Sequence, residues 1–272
     1  MDPVIEMRDV RFRYPGTDKG LSGVSFTVNS GECVGVIGPN GAGKSTLLMH
    51  LNALLVPLRG VVAIDNLDTS DPQNHRLIRS KVGLVFQDPN DQILKSIVED
   101  EVAFGPLNMG VPRSEIPGMV DRALKLTGLE GYNSKITYHL SFGEKKRLSI
   151  ASILVLDPPI LALDEPTSNL DPQGIKNLLD ILVDLKRRGK TLVIASHDLD
   201  FVAEIADRCY LIDRGIMVAE GLMRDVLSDF KLLSKHGLRP TAITRLFMGI
   251  GASEPYPVTF EEAERKLKRF FK

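Results

Sequence analysis

Hydrophobic and polar positions along the chain follow two different periods, and the change from one to the other predicts the order of strands and helices. Residues 4–12 and 21–28 alternate between apolar and polar side chains, which indicates two strands paired through the turn PGTDKG. Further short apolar runs predict strands at 33–37, 61–64, 82–86, 159–163, 191–196 and 209–213. Strand signals are missing from a long middle segment.

This middle segment, from about 88 to 157, carries helical patterns instead. They fall at roughly 97–108, 114–128 and 143–155. We therefore predict a helical subdomain inserted into a sheet domain.

A further helix is predicted to begin at Pro172. Asp171 before it is a favourable N-cap, and proline is favoured at the first helical position. Gly189 follows two arginines and marks the end of the helix. One face of this helix is apolar, with Ile175, Leu178, Leu179, Leu182 and Leu185. Strands that alternate with such helices favour an α/β fold with a mostly parallel sheet.

Residues 230–272 are predicted to form a helical extension that follows a main domain at 1–229. Thr259 and Glu262 have the spacing of a capping box for a last helix. Acidic residues begin this helix and basic residues end it, which suits the helix dipole. The basic residues are Arg265, Lys266, Lys268, Arg269 and Lys272. They form either a solvated helix face or a contact with an anionic surface or partner.

Composition narrows the function classes. The 272 residues are 43% hydrophobic and 25% charged, as in an ordinary globular protein, and the net charge of -1 gives no sign of nucleic-acid binding. The two cysteines lie far apart and outside any metal-ligand spacing. No apolar run is long enough to span a bilayer, and the N-terminus does not resemble a secretory signal. We expect a cytoplasmic chain whose membrane role, if any, comes through a partner.

The segment GPNGAGKST at 38–46 is the most informative part of the sequence. It fits the pattern G-x-x-x-x-G-K-[ST], and it lies between a predicted strand and a predicted helix, as a phosphate-binding loop requires. Glycines let several backbone N–H groups approach one anion, and the helix N-terminus adds a favourable dipole. We expect Lys44 to reach the β- and γ-phosphates and Ser45 to hold Mg²⁺. The expected nucleotide-binding loop residues are Gly38, Pro39, Asn40, Gly41, Ala42, Gly43, Lys44, Ser45 and Thr46.

Two carboxylates end the apolar segment Ile160-Leu161-Ala162-Leu163. Asp164 at the strand end can hold Mg²⁺, whereas Glu165 can orient or deprotonate a water molecule aimed at the γ-phosphate. Two solvated acids at a strand end are the alternative. The phosphate loop in the same chain makes the catalytic interpretation the better one.

Three more features follow strands or open a helix, and each has a plain structural alternative. His197 can donate a hydrogen bond to the γ-phosphate, and Gln87 can meet both Mg²⁺ and the attacking water, although either residue alone would indicate little. In the run Leu140-Ser141-Phe142-Gly143-Glu144, Ser141 and Glu144 have capping-box spacing. A capped helix start is also an anion site, so both interpretations can hold.

In this order, these motifs resemble the ATP-binding subunit of an ABC transporter, over about residues 4–228. The resemblance implies a P-loop NTPase (RecA-like) fold with a mostly parallel sheet core, an antiparallel β part and an inserted α-helical subdomain. It also implies ATP and Mg²⁺ as ligands, with Lys44, Gln87, Glu165 and His197 as catalytic residues. Tyr14 lies where this family has an aromatic residue that stacks on adenine, although an ordinary strand aromatic is an equal alternative.

The family also works as a head-to-tail dimer in which each ATP lies between two subunits. By this resemblance, Ser141 and Gly143 serve the partner's ATP, and Asp171 lies across the interface. The segments 86–111 and 237–247 are similar to the energy-coupling-factor branch, which imports cobalt, nickel or vitamins. That branch implies a second ATPase subunit, a transmembrane coupling protein and a substrate-binding membrane protein, with this chain at the cytoplasmic face.

The signature run departs from the usual LSGGQ, because Phe142 replaces a glycine and Glu144 replaces glutamine. This departure puts the turnover rate in question more than nucleotide binding. A soluble ABC ATPase without transport and a module that binds ATP without cleaving it are the alternative functions. Tandem ATPase domains or a coiled-coil insertion would favour the first, and the intact Glu165 argues against the second. The sequence leaves open the cargo and the choice between a homodimer and a pairing with a similar chain.

Overall fold

A computed structural model describes residues 3–270, and its central element is a six-stranded sheet. The ten strands of the described chain are β1 (Ile5–Arg13), β2 (Gly20–Val28), β3 (Cys33–Ile37), β4 (Arg59–Ile64), β5 (Leu67–Asp68), β6 (Val82–Val85), β7 (Ile160–Asp164), β8 (Thr191–Ser196), β9 (Arg208–Asp213) and β10 (Ile216–Leu222). The order in the central sheet is β10-β9-β3-β8-β7-β6. All neighbouring pairs are parallel except β9 with β10, so β10 is an antiparallel edge strand.

Helices cover this sheet and extend the chain beyond it. They are α1 (Lys44–Leu51), α2 (His75–Lys81), α3 (Val98–Met109), α4 (Ile116–Leu126), α5 (Phe142–Leu154), α6 (Pro172–Arg187), α7 (Leu199–Ile205), α8 (Met223–Ser228), α9 (Phe230–Lys235), α10 (Ala242–Gly249) and α11 (Phe260–Phe270). Short 3₁₀ turns lie at Pro72–Asn74, Pro89–Asp91 and Thr137–His139. In the part of the chain that the structure describes, no helix has the length and apolar character needed to cross a membrane.

The inner strands are apolar because both faces of the sheet are covered. Every residue of β3, β6, β7 and β8 is buried. Parallel strands place their carboxyl ends at one edge of the sheet, and the chain leaves that edge after each of these four strands. The phosphate loop, Gln87, the Asp164–Glu165 pair and His197 therefore converge there.

A second sheet carries the strands nearest the N-terminus. Its order is β2-β1-β4-β5, and all its pairs are antiparallel. The hairpin predicted at 4–12 and 21–28 is thus present as β1 and β2. This sheet and the central one enclose a shared apolar core that includes Phe26, Leu47 and Tyr210.

The three predicted helices of the middle segment are present as α3, α4 and α5. They bury an apolar cluster of their own that includes Val102, Leu124 and Leu148. The end of the chain packs differently, because Leu233, Leu238 and Val258 join the core under the central sheet. The division into domains at 229 and 230 stays a prediction.

The capping box predicted for the last helix is only half formed. The Thr259 hydroxyl accepts a hydrogen bond from the Glu262 N–H at 3.2 Å. The Glu262 carboxylate, however, accepts from the N–H of Val258, not of Thr259. It also pairs with Arg224 at 3.0 Å, and this tertiary contact draws it away from the reciprocal position. Lys272 of the predicted basic group lies outside the described residues.

Candidate functional site

The loop at 38–46 joins β3 to α1 and has the geometry of an anion cradle. Gly41 and Gly43 have φ angles of 79° and 109°, which favour glycine. Gly38 is needed for another reason, since a Cβ there would lie 2.1 Å from the Ile212 carbonyl oxygen. No side chain caps the start of α1. Its first N–H groups therefore remain available to phosphate oxygens.

A cavity of about 390 Å³ lies over this loop. Most of the loop residues predicted to bind nucleotide line it, together with Tyr14, Gln87 and Glu165, which come from distant parts of the sequence. The full lining is Tyr14, Lys19, Gly20, Asn40, Gly41, Ala42, Gly43, Lys44, Ser45, Thr46, Gln87 and Glu165. Lys19 and Gly20 were not predicted as site residues, because they belong to the segment PGTDKG, which carries no binding motif.

Lys44 is buried at the floor of this site. Its Nζ donates to the carbonyl oxygens of Gly38 at 2.7 Å and Pro39 at 3.2 Å. It also lies 3.0 Å from Oε1 of Glu165, an ion pair that lacks hydrogen-bond alignment. The cation is therefore held between the loop and the carboxylate pair.

Asp164 offers an oxygen suited to a cation. Its Oδ1 is buried and has no hydrogen-bond partner among residues 3–270. Burial raises the pKa of Asp164, and a hydrogen bond from Ser45 lowers it in part. A buried carboxylate oxygen without a partner beside a hydroxyl group fits the hard oxygen site that Mg²⁺ prefers. Asp164 and Ser45, each predicted to hold Mg²⁺, thus lie within hydrogen-bond reach of each other.

Glu165 follows in a strained backbone conformation, with φ of 41°. Its Oε2 accepts hydrogen bonds from the Ser196 hydroxyl at 3.2 Å and the His197 N–H at 3.3 Å. The same oxygen lies 2.8 Å from Nδ1 of His197. These contacts fix the carboxylate at the end of β7, with its other oxygen toward Lys44.

The hydrogen bond to Glu165 determines how His197 can act. A carboxylate only accepts, so the proton on this side of the ring is on Nδ1. The Nε2 atom then donates to a phosphate oxygen only when the ring carries both protons. The His197 side chain is half-exposed and can meet a ligand.

Gln87 is exposed just beyond β6, and its side chain lines the cavity. Its backbone carbonyl accepts a hydrogen bond from Nζ of Lys146 at 2.7 Å. Lys146 was not identified as a site residue from the sequence. A signal was available, because Lys146, Ile150 and Leu154 are spaced by four and share the buried face of α5.

The signature run lies outside the cavity. Ser141 caps α5, and the capping box is complete: the Glu144 N–H donates to Ser141 Oγ at 3.3 Å, and the Glu144 carboxylate accepts from the Ser141 N–H at 2.8 Å. The Glu144 carboxylate also accepts from the Tyr132 hydroxyl at 2.8 Å. These hydrogen bonds lower the pKa of Glu144. Gly143 is likewise absent from the cavity lining.

Asp171 also lies outside the cavity lining. Its carboxylate caps α6 by accepting from the Gly174 N–H at 2.7 Å. The preceding residue, Leu170, lies close to Gly143, since an added Cβ at Gly143 would be 3.7 Å from it. The signature helix and the start of α6 therefore form one surface away from the phosphate loop of the same chain.

Tyr14 follows β1 and stands beside the phosphate loop. Its hydroxyl lies 3.4 Å from Oγ1 of Thr46. Its ring packs edge-on against Phe12, with 5.0 Å between centroids. Tyr14 thus both packs against a strand aromatic, Phe12, and lines the cavity.

Comparison with known proteins agrees with this geometry. Residues 21–168 match the family described as ABC transporter, and a shorter match at 136–203 is described as an AAA domain, putative AbiEii toxin. The energy-coupling factor transporter ATP-binding protein EcfA of Methanocaldococcus jannaschii is 40% identical over 99% of this chain and 98% of its own length. The chain belongs to the ABC transporter family. It is an ATPase of that family, and its relatives confirm the energy-coupling-factor branch predicted from its motifs.

Other relatives support the same assignment. An EcfA protein of Methanothermobacter thermautotrophicus is 43% identical over 97% of this chain and 86% of its own length. The structure of cbiO1 from Clostridium perfringens, part of the ABC transporter complex cbiONQ, has a TM-score of 0.77 at 34% identity and covers 92% of this chain and 100% of its own. A dimeric ATP-binding cassette bound to ADP and Pi has a TM-score of 0.74 at 28% identity and covers 80% and 98%. The predicted P-loop NTPase fold is confirmed.

Proposed function

We propose that the chain is the ATP-hydrolysing subunit of an energy-coupling-factor importer. The observation that carries the proposal is the convergence of Lys44, Asp164, Glu165 and His197 at one edge of the sheet. Two relatives are named as energy-coupling factor transporter ATP-binding proteins, and a structural neighbour is part of the transporter complex cbiONQ. These likenesses support the transport role. The partners would be a transmembrane coupling protein and a substrate-binding membrane protein, with this chain peripheral at the cytoplasmic face.

The residues have distinct proposed roles in the nucleotide site. Backbone N–H groups of 38–46 and Lys44 bind the phosphates, and Tyr14 stacks on adenine. Ser45 and Asp164, with Gln87, hold Mg²⁺, which neutralises phosphate charge when bound. Glu165 orients the attacking water and takes its proton, and His197 donates to the γ-phosphate.

A second ATPase subunit, either the same chain or a similar one, completes the site. Ser141, Gly143 and Asp171 form a surface that does not line the chain's own cavity. A surface of this kind can serve a nucleotide bound to another subunit. The structural neighbour that is dimeric with ADP and Pi supports this arrangement. We propose that ATP binding closes the dimer and that hydrolysis reopens it.

The hydrolysis test uses the intact complex. The chain is co-expressed with candidate coupling and substrate-binding membrane proteins from the same genome, purified from detergent-solubilised membranes and assayed for steady-state ATPase activity. We expect Glu165→Gln to lower the rate by about hundredfold or more, as loss of a general base does. Glu204→Gln, at an exposed glutamate on α7, is the matched control and should leave the rate unchanged. Equal rates for the Glu165→Gln and wild-type complexes would reject the proposal.

The cargo is proposed only as a class: cobalt or nickel ions, or a vitamin. Uptake of each labelled candidate into proteoliposomes that contain the whole complex distinguishes them. We expect ATP-dependent accumulation of one candidate and its loss with Glu165→Gln. A chain that co-purifies with no membrane protein would instead favour a soluble ATPase.

A further inference from the structure

Lys146 is a fully buried cation on the signature helix, with 0% of its surface exposed. Its Nζ donates to the carbonyl oxygens of Phe86 at 3.0 Å and Gln87 at 2.7 Å. A buried ammonium group is unfavourable unless it is paired and hydrogen-bonded. Its two backbone partners therefore fix where the chain leaves β6 relative to α5.

The charges around Lys146 link it to the hydrolytic site. Asp164, Asp88 and Glu165 favour its charged form, whereas burial opposes it and lowers its pKa to about 8. Two of these carboxylates are the pair that ends β7. The ammonium group on the signature helix thus lies near enough to the reaction centre to be affected by its carboxylates, although it does not line the nucleotide cavity.

A second connection holds the same segment against α5. Gln92 accepts a hydrogen bond from the Phe86 N–H at 3.1 Å. Its amide nitrogen donates to the Ser149 carbonyl at 2.8 Å and the Ser152 hydroxyl at 3.3 Å. The C=O of Phe86 thus accepts from Lys146, which lies on α5, and its N–H donates to Gln92, which is hydrogen-bonded to α5. Residues 86–92 cannot shift relative to this helix without breaking these hydrogen bonds.

We propose that Lys146 is a positioning residue that couples Gln87 to the signature helix of the same chain. Gln87 lines the nucleotide cavity, while its carbonyl binds Lys146. Lys146 lies on the same rigid helix as Ser141 and Gly143. When the Gln87 side chain engages the bound nucleotide, its backbone moves, and Lys146 passes that movement to the surface that meets the second subunit. The inference rests on the proposed two-subunit ATP site.

The test measures dimer formation in the Glu165→Gln background, where hydrolysis does not obscure binding. Mg-ATP is titrated against the purified chain, and the dimer is followed by sedimentation velocity. We expect Lys146→Met to raise the ATP concentration needed for dimerisation by about tenfold or more, since coupling between sites is typically of this size. Binding of ADP to the single chain should change by less than about twofold, because Lys146 does not touch the nucleotide. Lys146→Arg keeps donors for both carbonyl groups and should dimerise at an ATP concentration close to that of the parent.

Two controls separate coupling from loss of stability. Arg147→Met removes the other neighbouring basic residue, which is only partly buried and donates to the Gly128 carbonyl outside residues 86–92, and it should leave dimerisation unchanged. Ile150→Val destabilises the same helix face but removes none of the hydrogen bonds to residues 86–92, and it should also leave the ATP midpoint unchanged. If Lys146→Met does not fold, Lys146→Gln, which keeps one donor group, takes its place and should show a smaller shift in the same direction.

Two results would overturn the inference. If Lys146→Met and Lys146→Gln dimerise at the same ATP concentration as their parent, Lys146 does not couple the two regions. If the Glu165→Gln parent forms no dimer at any ATP concentration, either with itself or with a similar ATPase chain from the same genome, the two-subunit site itself fails and the role of Lys146 falls with it. The first result leaves the proposed function standing and the second does not.

Discussion

Lys44 and Glu165 form a buried ion pair, with 3.0 Å between Nζ and Oε1 and 5% of each side chain exposed. The residue proposed to bind phosphate therefore neutralises the residue proposed to act as the base. Phosphate oxygens compete with this carboxylate for the same ammonium group. We therefore expect binding of ATP to draw the Lys44 ammonium group away from the Glu165 carboxylate.

The first prediction follows from this competition. Glu165→Gln removes the charge that holds Lys44 and also removes a negative charge near the phosphates. We expect the variant to bind Mg-ATP about threefold more tightly or better, because less of its Lys44 is sequestered. Isothermal titration calorimetry of the two proteins at equal salt measures the difference. Weaker binding by Glu165→Gln would contradict it, and Glu204→Gln should bind as the wild type does.

The second prediction concerns Ser196, which holds the base in place. Ser196 is fully buried, and its hydroxyl donates to Glu165 and accepts from the Asp198 N–H at 3.0 Å. Ser196→Ala leaves Glu165 with its His197 contact but less firmly oriented. We expect kcat to fall by about threefold to tenfold with the ATP dissociation constant unchanged. Thr127→Val, at a buried hydroxyl that bonds to the end of α4 and does not line the cavity, is the control for lost stability. An unchanged kcat for Ser196→Ala would show that the other contacts orient Glu165 without the Ser196 hydroxyl.

Local signals predicted much of the fold. The N-cap Asp171, the proline after it and Gly189 fixed both ends of α6, because these residues act through neighbouring backbone groups. The two-residue strand β5 and the edge strand β10 were missed. Each is held by antiparallel pairing with the strand before or beside it, β5 with β4 and β10 with β9. The split into two sheets was also beyond local patterns, since register between distant strands depends on the whole core.

In the candidate site, too, local patterns predicted some residues and missed others. The phosphate loop, Asp164 and Glu165 follow apolar strands, so their position at one edge of the sheet could be predicted. Lys146 could not be assigned to the carbonyl groups of Phe86 and Gln87, because that contact joins residues about 60 positions apart. A lysine on an apolar helix face indicates burial but does not reveal its partner.

The third prediction concerns Glu144, which replaces the glutamine usual in the signature run. Its carboxylate accepts from the Ser141 N–H and the Tyr132 hydroxyl. Glu144→Gln keeps only one accepting oxygen, and we expect a loss of about 0.5–1 kcal/mol in unfolding free energy near neutral pH.

This loss should depend on pH in a defined direction. The pKa of Glu144 is lowered in the folded chain, so its stabilising contribution is present above the ordinary glutamate pKa and is lost as pH falls through the lowered value. Urea unfolding of the wild type and Glu144→Gln from pH 7 to pH 3 should therefore show curves that converge in acid. A difference that is constant or grows in acid would contradict the role assigned to the carboxylate.

The fourth prediction uses the lowered pKa of Lys146. Burial lowers it from 10.5 to about 8, while Asp164, Asp88 and Glu165 act in the opposite direction. Between these two pKa values the unfolded chain binds more protons at Lys146 than the folded chain does, so this residue makes stability rise with pH there. Relative to Lys146→Met, we expect the wild type to gain up to about 1.4 kcal/mol per pH unit above pH 8.

Urea unfolding of both proteins at several values from pH 7 to pH 9.5 measures this gain. Burial raises the pKa values of Cys33 and Cys209 to about 12, which lowers stability in the same alkaline range. These two thiols are present in both proteins, so their contribution cancels in the difference. Parallel stability profiles for the two proteins would contradict the assigned pKa shift.

The fifth prediction decides between the two interpretations of Tyr14. If its ring stacks on adenine, Tyr14→Ala should weaken ATP binding by about fivefold or more, because stacking of a base on an aromatic ring contributes about 1–3 kcal/mol. Tyr14→Phe should bind almost as the wild type does, since it loses only the long contact with Thr46 at 3.4 Å. Calorimetry with ATP and with inorganic triphosphate, which has no base, separates a loss of adenine stacking from a loss of phosphate binding. A plain strand aromatic that packs on Phe12 would lower the melting temperature in Tyr14→Ala while leaving the preference for ATP over triphosphate intact.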